Sequence, residues 1–445
     1  MKLFKKILFI SCFFLGFSLH INYVLAAGIS ADDYYNITSQ YNYSQPYEAL
    51  TALSQAHAEY PYDQRFIDSL NDRSKVILSW SKSSQLKGNF SSAIYGYNTI
   101  MNTSGVSQII KDEANVCLIL ANRKERGISL KLQIPDYFDL AKNSQEQYVN
   151  SHYEYQSLDS YNPFGNYLFI ENVSSYSDPT TVRFDDKGIP MVNYSGTFYY
   201  NPITVEQYAL SIYDKYLKDP NAKNNQLRDK FLNIATWLQQ HMDKGGAFRY
   251  EFYYKHYLDD TTFYPGWVSA MAQGQALSVF ARAYHLTGQQ NYITAGNAAF
   301  KFLTIKTSDG GVMDNLGALN GALKNYIFFQ LYVTSPPSYT LNGDMYTLLG
   351  LYDWSNLDNN DPISSESKKY FNSGLRSLKY LLPYYDIGGF VTYDLGYLTK
   401  LGIEPTINLS YYGFPLTLLD AFYAITKDET FYYYRKLWTS YIENY

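Results

Sequence analysis

From Asn201 to the C-terminus the chain repeats one unit, and this constrains its fold more than any other feature. Each unit holds two stretches with apolar residues at three- and four-residue spacing, the signature of helices with one buried face. The first stretches begin near Val205, Trp267, Leu341 and Leu409. Their partners run over Gln226–His241, Tyr292–Ile305, Ser365–Leu382 and Thr430–Glu443. The links are short, as in Thr287–Asn291 and Thr426–Glu429. Between pairs stand Asp243-Lys-Gly-Gly-Ala, Asp309-Gly-Gly-Val and Asp386-Ile-Gly-Gly-Phe. Paired glycines stop a helix and turn the chain into a short extended piece. Helical hairpins in series with such punctuation predict a mainly α fold, an incomplete α/α toroid over residues 201–445. In that architecture loops at one end of the ring form a groove that suits a linear polymer.

The rest of the chain has a different texture. Residues 1–27 carry a basic start (MKLFKK), the apolar run Ile7–Leu19 and small residues at Val24–Ala27, which together predict a secretory signal peptide. That predicts an exported protein, periplasmic or secreted, with membrane contact only through this segment if it stays uncleaved. Residues 28–140 carry helical periodicity, as in Tyr47–Tyr60 and Asp68–Leu86. Gly88–Met101 has the look of one helix of a tetratricopeptide-like hairpin, so a helical module is expected here. Residues 141–200 are rich in Tyr, Ser, Asn, Pro and Gly and predict a short β-rich arm, with Asn166–Val173 as one strand-prone piece.

Several function classes fall away. A net charge of −5 gives no basic footprint for nucleic acid. The histidines beyond the leader (His57, His152, His241, His256, His285) lack metal-ligand spacing. No phosphate loop, dinucleotide fingerprint or nucleophile elbow is present, so neither metal nor cofactor is expected. Cys117 is the single cysteine outside the leader and has no internal partner for a disulfide. Tyrosine is the outlier, at 49 of 445 residues. Most tyrosines serve packing, as bulky apolar bodies with a polar tip. A minority is expected to line a sugar-binding groove.

Longer strings carry a family resemblance. Phe198–Leu217, Tyr264–Gly288, Ser335–Trp354, Leu381–Tyr397 and Leu409–Phe431 together resemble the C-terminal domain of the D-glucuronyl C5-epimerases, over roughly Phe198 to Tyr445. Those enzymes invert the carboxylate-bearing carbon of uronic acid units inside a polysaccharide, with heparosan as their typical target. The resemblance implies the same reaction here, an anionic polysaccharide as partner, and no redox cofactor. A homodimer stays open. The β-sandwich of the animal enzymes has no counterpart, because the entry segment runs almost directly into the repeat.

The resemblance also implies site residues. The family's proposed catalytic groups are tyrosines with an accompanying glutamate. They fall on Tyr332, Tyr393 and a tyrosine that opens a helix. Tyr411 takes the third place when counted back from Ile425–Asp428, and Tyr412 when counted forward from Leu401–Ile403. Leu331-Tyr332-Val333 lacks the family glutamate, Gly396 stands where the family has arginine, and no histidine follows Tyr411 or Tyr412. Arg249, Asn342 and Tyr412 are expected to contact substrate, though a surface role for Arg249 and a turn-shaping role for Asn342 compete. Gln273 and Gln275 are expected to pack or cap, and Arg282 to sit in a buried ion pair.

Tyrosines suit the chemistry on one condition. Epimerisation removes a proton α to a carboxylate and returns it on the other face, so one acid–base group must serve each face. A phenol with a pKa near about 10 is a poor base at neutrality. A nearby Arg or Lys is therefore expected to depress it, and positioned donors to neutralise the developing enolate. Two rivals remain. A polysaccharide lyase would share the proton abstraction and then expel the C4 substituent. A glycan-binding envelope protein would keep the groove without chemistry.

Overall fold

A computed structural model describes residues 30–41, 43–87, 89–125, 143–144, 157–168, 174–218, 225–357, 361–400 and 402–443. The expected leader over 1–27 and most of the strand-prone piece over 166–173 lie outside these residues. Among them no helix is long and apolar enough to cross a membrane. The chain divides into two units, Met1–Gly127 and Ile128–Tyr445.

The first unit holds α1 (Ala31–Thr38), α2 (Pro46–Glu59), α3 (Gln64–Leu86), α4 (Phe90–Asn102) and α5 (Gln108–Glu125). Its helix starts are capped from the sequence. Ser30, Asp63 and Asn89 accept backbone N–H bonds of the first turns of α1, α3 and α4. Consecutive helices pack on one another around a core that includes Leu50, Leu53, Phe66, Leu70, Ile77, Tyr97 and Ile100.

The second unit opens with an antiparallel sheet, β1 (Val182–Phe184), β2 (Pro190–Tyr194) and β3 (Thr197–Tyr199), in that order. Four helix pairs follow: α6 (Pro202–Lys218) with α7 (Asn225–His241), α8 (Ala270–Thr287) with α9 (Gln290–Leu303), α10 (Leu341–Ser355) with α11 (Pro362–Tyr385), and α12 (Gly413–Thr426) with α13 (Glu429–Glu443). The first members pack in succession, α6 on α8, α8 on α10 and α10 on α12. Each also packs on its own partner. The helices therefore form an inner row and an outer row, and the burial pattern follows. On α8 every residue from Ala270 to Ala283 is buried, while outer helices keep one wet face.

Two glycines set the α8–α10 distance. A Cβ on Gly350 would sit 1.9 Å from the Gly274 carbonyl oxygen, and one on Gly274 would sit 2.5 Å from Thr347 Cα. Backbone cannot yield as a side-chain tip can. Gly350→Ala is therefore expected to lower stability by about 1–3 kcal/mol or more, readable as a shift of the chemical-denaturation midpoint at unchanged slope.

The Asp-Gly-Gly punctuation has a common geometry. Gly246, Gly310 and Gly388 have φ of 90°, 85° and 85°, which favours glycine. Asp243 and Asp386 accept backbone N–H bonds from Gly245 and Gly388 within these turns. Gln273 of α8 holds the first turn, accepting from the Phe248 N–H and donating to the Gly246 carbonyl. Each turn sends the chain from an outer helix into the connection that leads to the next inner helix. These connections carry the remaining strands: β4 (Arg249–Tyr250) paired with β7 (Trp267–Val268), β5 (Tyr254–Lys255) with β6 (Thr262–Phe263), and β8 (Met313–Asn315) with β9 (Ile327–Phe329).

Arg282 and Asp353 link the inner row to the segment before the sheet. Their side chains are fully buried and meet at 2.7 Å. Tyr161 donates to both Asp353 oxygens, and Arg282 donates to the Gly165 carbonyl. This is the buried ion pair expected for Arg282.

Candidate active site

The connections that precede the inner helices bring tyrosines together. Tyr332 lies between β9 and α10, Tyr393 follows the third Gly-Gly turn, and Tyr411 lies just before α12. Tyr254 and Tyr257 come from the β5–β6 hairpin. Tyr254 stacks on Tyr332 with ring centres 5.6 Å apart. Tyr257 meets Tyr332 at 5.8 Å and Tyr393 at 5.7 Å, both edge-on. Tyr411 meets Tyr393 edge-on at 5.5 Å. Residues far apart in sequence thus share one aromatic cluster, with Trp267 and Phe263 packed on its Tyr254–Tyr332 side.

The backbone around Tyr393 is held from two sides. Its N–H donates to the Thr406 carbonyl and its carbonyl accepts from Leu341 N–H, while Leu395 N–H donates to the Ser338 carbonyl. Asn342, the second residue of α10, lines a small recess beside Tyr393, Asn408, Tyr411 and Tyr412. Its side-chain oxygen is buried and has no hydrogen-bond partner among the described residues. A buried acceptor without a donor is costly, and this one borders the recess. Asn342 therefore lies beside the cluster, at the edge of the recess.

Tyr411 and Tyr412 part company. Tyr412 is buried, packs on Phe390 with ring centres 4.2 Å apart and donates its hydroxyl to the Trp438 carbonyl of α13. Tyr411 is 41% exposed and faces Tyr393. Of these two tyrosines, Tyr411 meets the cluster, and the Tyr412 hydroxyl bonds within the core. Arg249 goes elsewhere. Its guanidinium bonds Asp243 at 2.6 Å and the Gly266 carbonyl at 2.9 Å. Successive strand residues face opposite ways, and on β4 it is Tyr250 that stacks on Trp267. Neither bonding partner of Arg249 belongs to the cluster, so the surface alternative describes it.

Electrostatics in the cluster favour neutral phenols. Desolvation raises the pKa of Tyr332 and Tyr393 well above the phenol's usual value, and neighbouring tyrosines add to it. Burial raises Tyr411 as well. The expected depressing cation is not there: among the described residues, no Lys or Arg stands among the main influences on these three phenols. Lys400 lies near the hairpin and bonds Asp259 at 2.7 Å. Asp259 also accepts from His256, whose buried ring packs on Tyr257 and Tyr332.

Tyr254, Tyr257 and His256 escaped sequence reasoning. Their strands are two residues long, too short for an alternation signal to form. The signal that could have found them is the density of aromatic and ionisable residues in Phe252-Tyr-Tyr-Lys-His-Tyr-Leu-Asp.

Residues 242–440 match the family model described as the D-glucuronyl C5-epimerase C-terminus. This region belongs to that family. A D-glucuronyl C5-epimerase of Caenorhabditis elegans is 38% identical over 174 residues, which is 37% of this chain and 27% of the nematode protein. The chain thus spans about a quarter of that relative. An uncharacterized protein of Methanocaldococcus jannaschii is 27% identical over 250 residues, covering 51% of this chain and 77% of the archaeal one. Among solved structures, a family 76 glycoside hydrolase from a bovine Bacteroides thetaiotaomicron strain covers 71% of this chain and 56% of its own, at 14% identity and a TM-score of 0.33. Tyr254, Tyr257, Tyr332, Tyr393 and Tyr411 all lie within the C5-epimerase region, as do Asn342 and Arg249.

A second buried acid lies close to the site. Asp344 of α10 is buried and accepts the Phe329 N–H with one oxygen, while its other oxygen has no partner among the described residues. Desolvation raises its pKa to about 8. The folded state therefore holds this proton where the unfolded chain, with a carboxyl near about 4, releases it. The group's contribution is fully present below about pH 4 and is lost as pH rises toward about 8. Asp344→Asn mimics the protonated acid. It is expected to remove that share of the fall in melting temperature between pH 5 and pH 8, seen by comparing the two proteins across the range.

Proposed function

We propose that this protein is an epimerase acting on C5 of uronic acid units within a polysaccharide, of the D-glucuronate to L-iduronate type. The observation that carries the reading is the convergence of Tyr332, Tyr393 and Tyr411 from three separate connections into one cluster beside a recess. Membership of residues 242–440 in the D-glucuronyl C5-epimerase family supports the reaction class.

In this reading a uronate ring lies with its C5 edge against the tyrosine hydroxyls. One phenol group takes the C5 proton and another returns a proton on the opposite face. The electron pair left on C5 passes into the substrate carboxylate. Asn342 contacts the bound sugar. The inner and outer helix rows form an incomplete α/α toroid whose groove holds the anionic chain, and the protein works after export. Neutral phenols do not repel an anionic polymer, which fits a protein with no excess of positive charge.

The test is incubation with a panel of uronate polysaccharides, heparosan included, in D₂O. Deuterium at C5 with chain length unchanged is the expected result. Unsaturated chain ends, absorbing in the ultraviolet, would identify a lyase instead. Binding to a polymer with neither signal would identify a glycan-binding protein.

A further inference from the structure

The proposed reaction leaves one requirement unmet. A phenol must accept a proton from carbon, yet among the described residues no cation stands among the main influences on Tyr332, Tyr393 or Tyr411. A phenol can also act as a base without becoming a stable phenolate, provided its own proton leaves as the new one arrives. That needs a proton acceptor already hydrogen-bonded to the hydroxyl, and one tyrosine of the cluster has it.

Tyr257 donates its hydroxyl to Asp394 Oδ2 at 2.9 Å. Tyr257 is 39% exposed, so it is open to a ligand, while its ring touches both Tyr332 and Tyr393. Asp394 is fully buried, and its other oxygen accepts the Gly396 N–H at 2.6 Å. The carboxylate is thus fixed in position and bonded to Tyr257 of the cluster. Its hairpin is also fastened: Asp259 bridges His256 and Lys400. Gly396 belongs to the same contact, since a Cβ there would sit 2.7 Å from Leu258 Cδ1.

We infer that Tyr257 is a catalytic residue that removes or returns the C5 proton on one face of the uronate, with Asp394 as the positioning residue that receives its phenolic proton. The inference rests on the epimerase reading. In the forward step Tyr257 Oη bonds the C5 proton as its own proton passes to Asp394 Oδ2. The C5–H electron pair moves into the substrate carboxylate and gives an enediolate. A second tyrosine, Tyr393, donates its proton to C5 from the other face. Asp394 then carries one proton more and Tyr393 one fewer, and exchange with solvent resets both.

Burial of Asp394 supports this assignment, because desolvation raises its proton affinity above that of an ordinary carboxylate. The Gly396 N–H, Thr406, Tyr257 and Lys400 act in the opposite direction. Around Tyr257 stand Asp394, Tyr393, Tyr332, His256 and Thr340.

The experiment follows deuterium exchange at C5 and inversion at C5 separately in D₂O, on heparosan and on an epimerised polymer. It uses the full chain, Tyr257→Phe and Asp394→Asn, with folding checked by circular dichroism. A group that serves one face leaves a distinctive trace when removed. Tyr257→Phe is expected to lose inversion by about a hundredfold or more. Exchange without inversion should persist for the epimer whose proton faces the other tyrosine. Asp394→Asn should show the same split with a smaller loss. Near-normal inversion in Tyr257→Phe overturns the assignment. So does equal loss of exchange and inversion in both epimers, which marks a residue needed for binding or folding. Absence of exchange and inversion in the unsubstituted protein overturns the epimerase reading itself, and the assignment with it.

Discussion

Tyr393→Phe is expected to lower C5 inversion by about two to four orders of magnitude, the range that a positioned acid–base group supplies. Stability should change little. The substitution removes one oxygen, while the ring keeps its contacts with Tyr257 and Tyr411. The backbone bonds that fix the residue, to Thr406 and Leu341, do not involve the side chain. Loss of inversion with an unchanged melting temperature places the hydroxyl in the reaction. Loss of both would mean that the cluster is a structural core. Tyr412→Phe is the matched control, since that hydroxyl bonds the Trp438 carbonyl away from Tyr393. It should affect stability more than turnover.

The largest stability effect is expected at Asp353. Replacing it with Ala leaves the Arg282 guanidinium fully buried without its counter-ion. Breaking one side of a buried pair costs about 3–5 kcal/mol, because the remaining charge stays desolvated. Here the loss extends further. Tyr161 loses its acceptor and the segment around Gly165 loses part of its tie to α8. Denaturant unfolding of Asp353→Ala should show a fall of that size. A double replacement of Arg282 and Asp353 by apolar residues of similar volume should recover much of it, since no charge is then stranded. A single variant as stable as the parent would mean that water or another group reaches Arg282.

The helix pairs were legible because each inner and outer helix is long enough for its apolar spacing to repeat several times. α8 is apolar or small nearly throughout, as a helix flanked on all sides must be. The Gly-Gly turns were legible because positive φ leaves few alternatives to glycine. The site was legible only in part. Tyr393 and Asn342 stand in strings that resemble the family, Tyr332 lies just upstream of one, and the structure gathers them. Sequence spacing could not separate Tyr411 from Tyr412, because at adjacent positions one ring meets Tyr393 and the other packs on Phe390 and bonds Trp438. Arg249 misled because a glycine turn beside an arginine has the look of an anion site, while Asp243 of the same turn already neutralises it. Tyr257 was hidden because its partner, Asp394, is 137 residues away in the chain.

The central claim is that the C5 proton passes through the tyrosine cluster. Its most direct test is the fate of the C5 hydrogen in a uronate polysaccharide incubated in D₂O, with the unsubstituted protein and with the Tyr332→Phe/Tyr393→Phe double variant side by side. Inverted units carrying deuterium at C5 with the first protein, and no inversion with the second, both folded, is the expected result. Full inversion by the double variant would contradict the tyrosine mechanism.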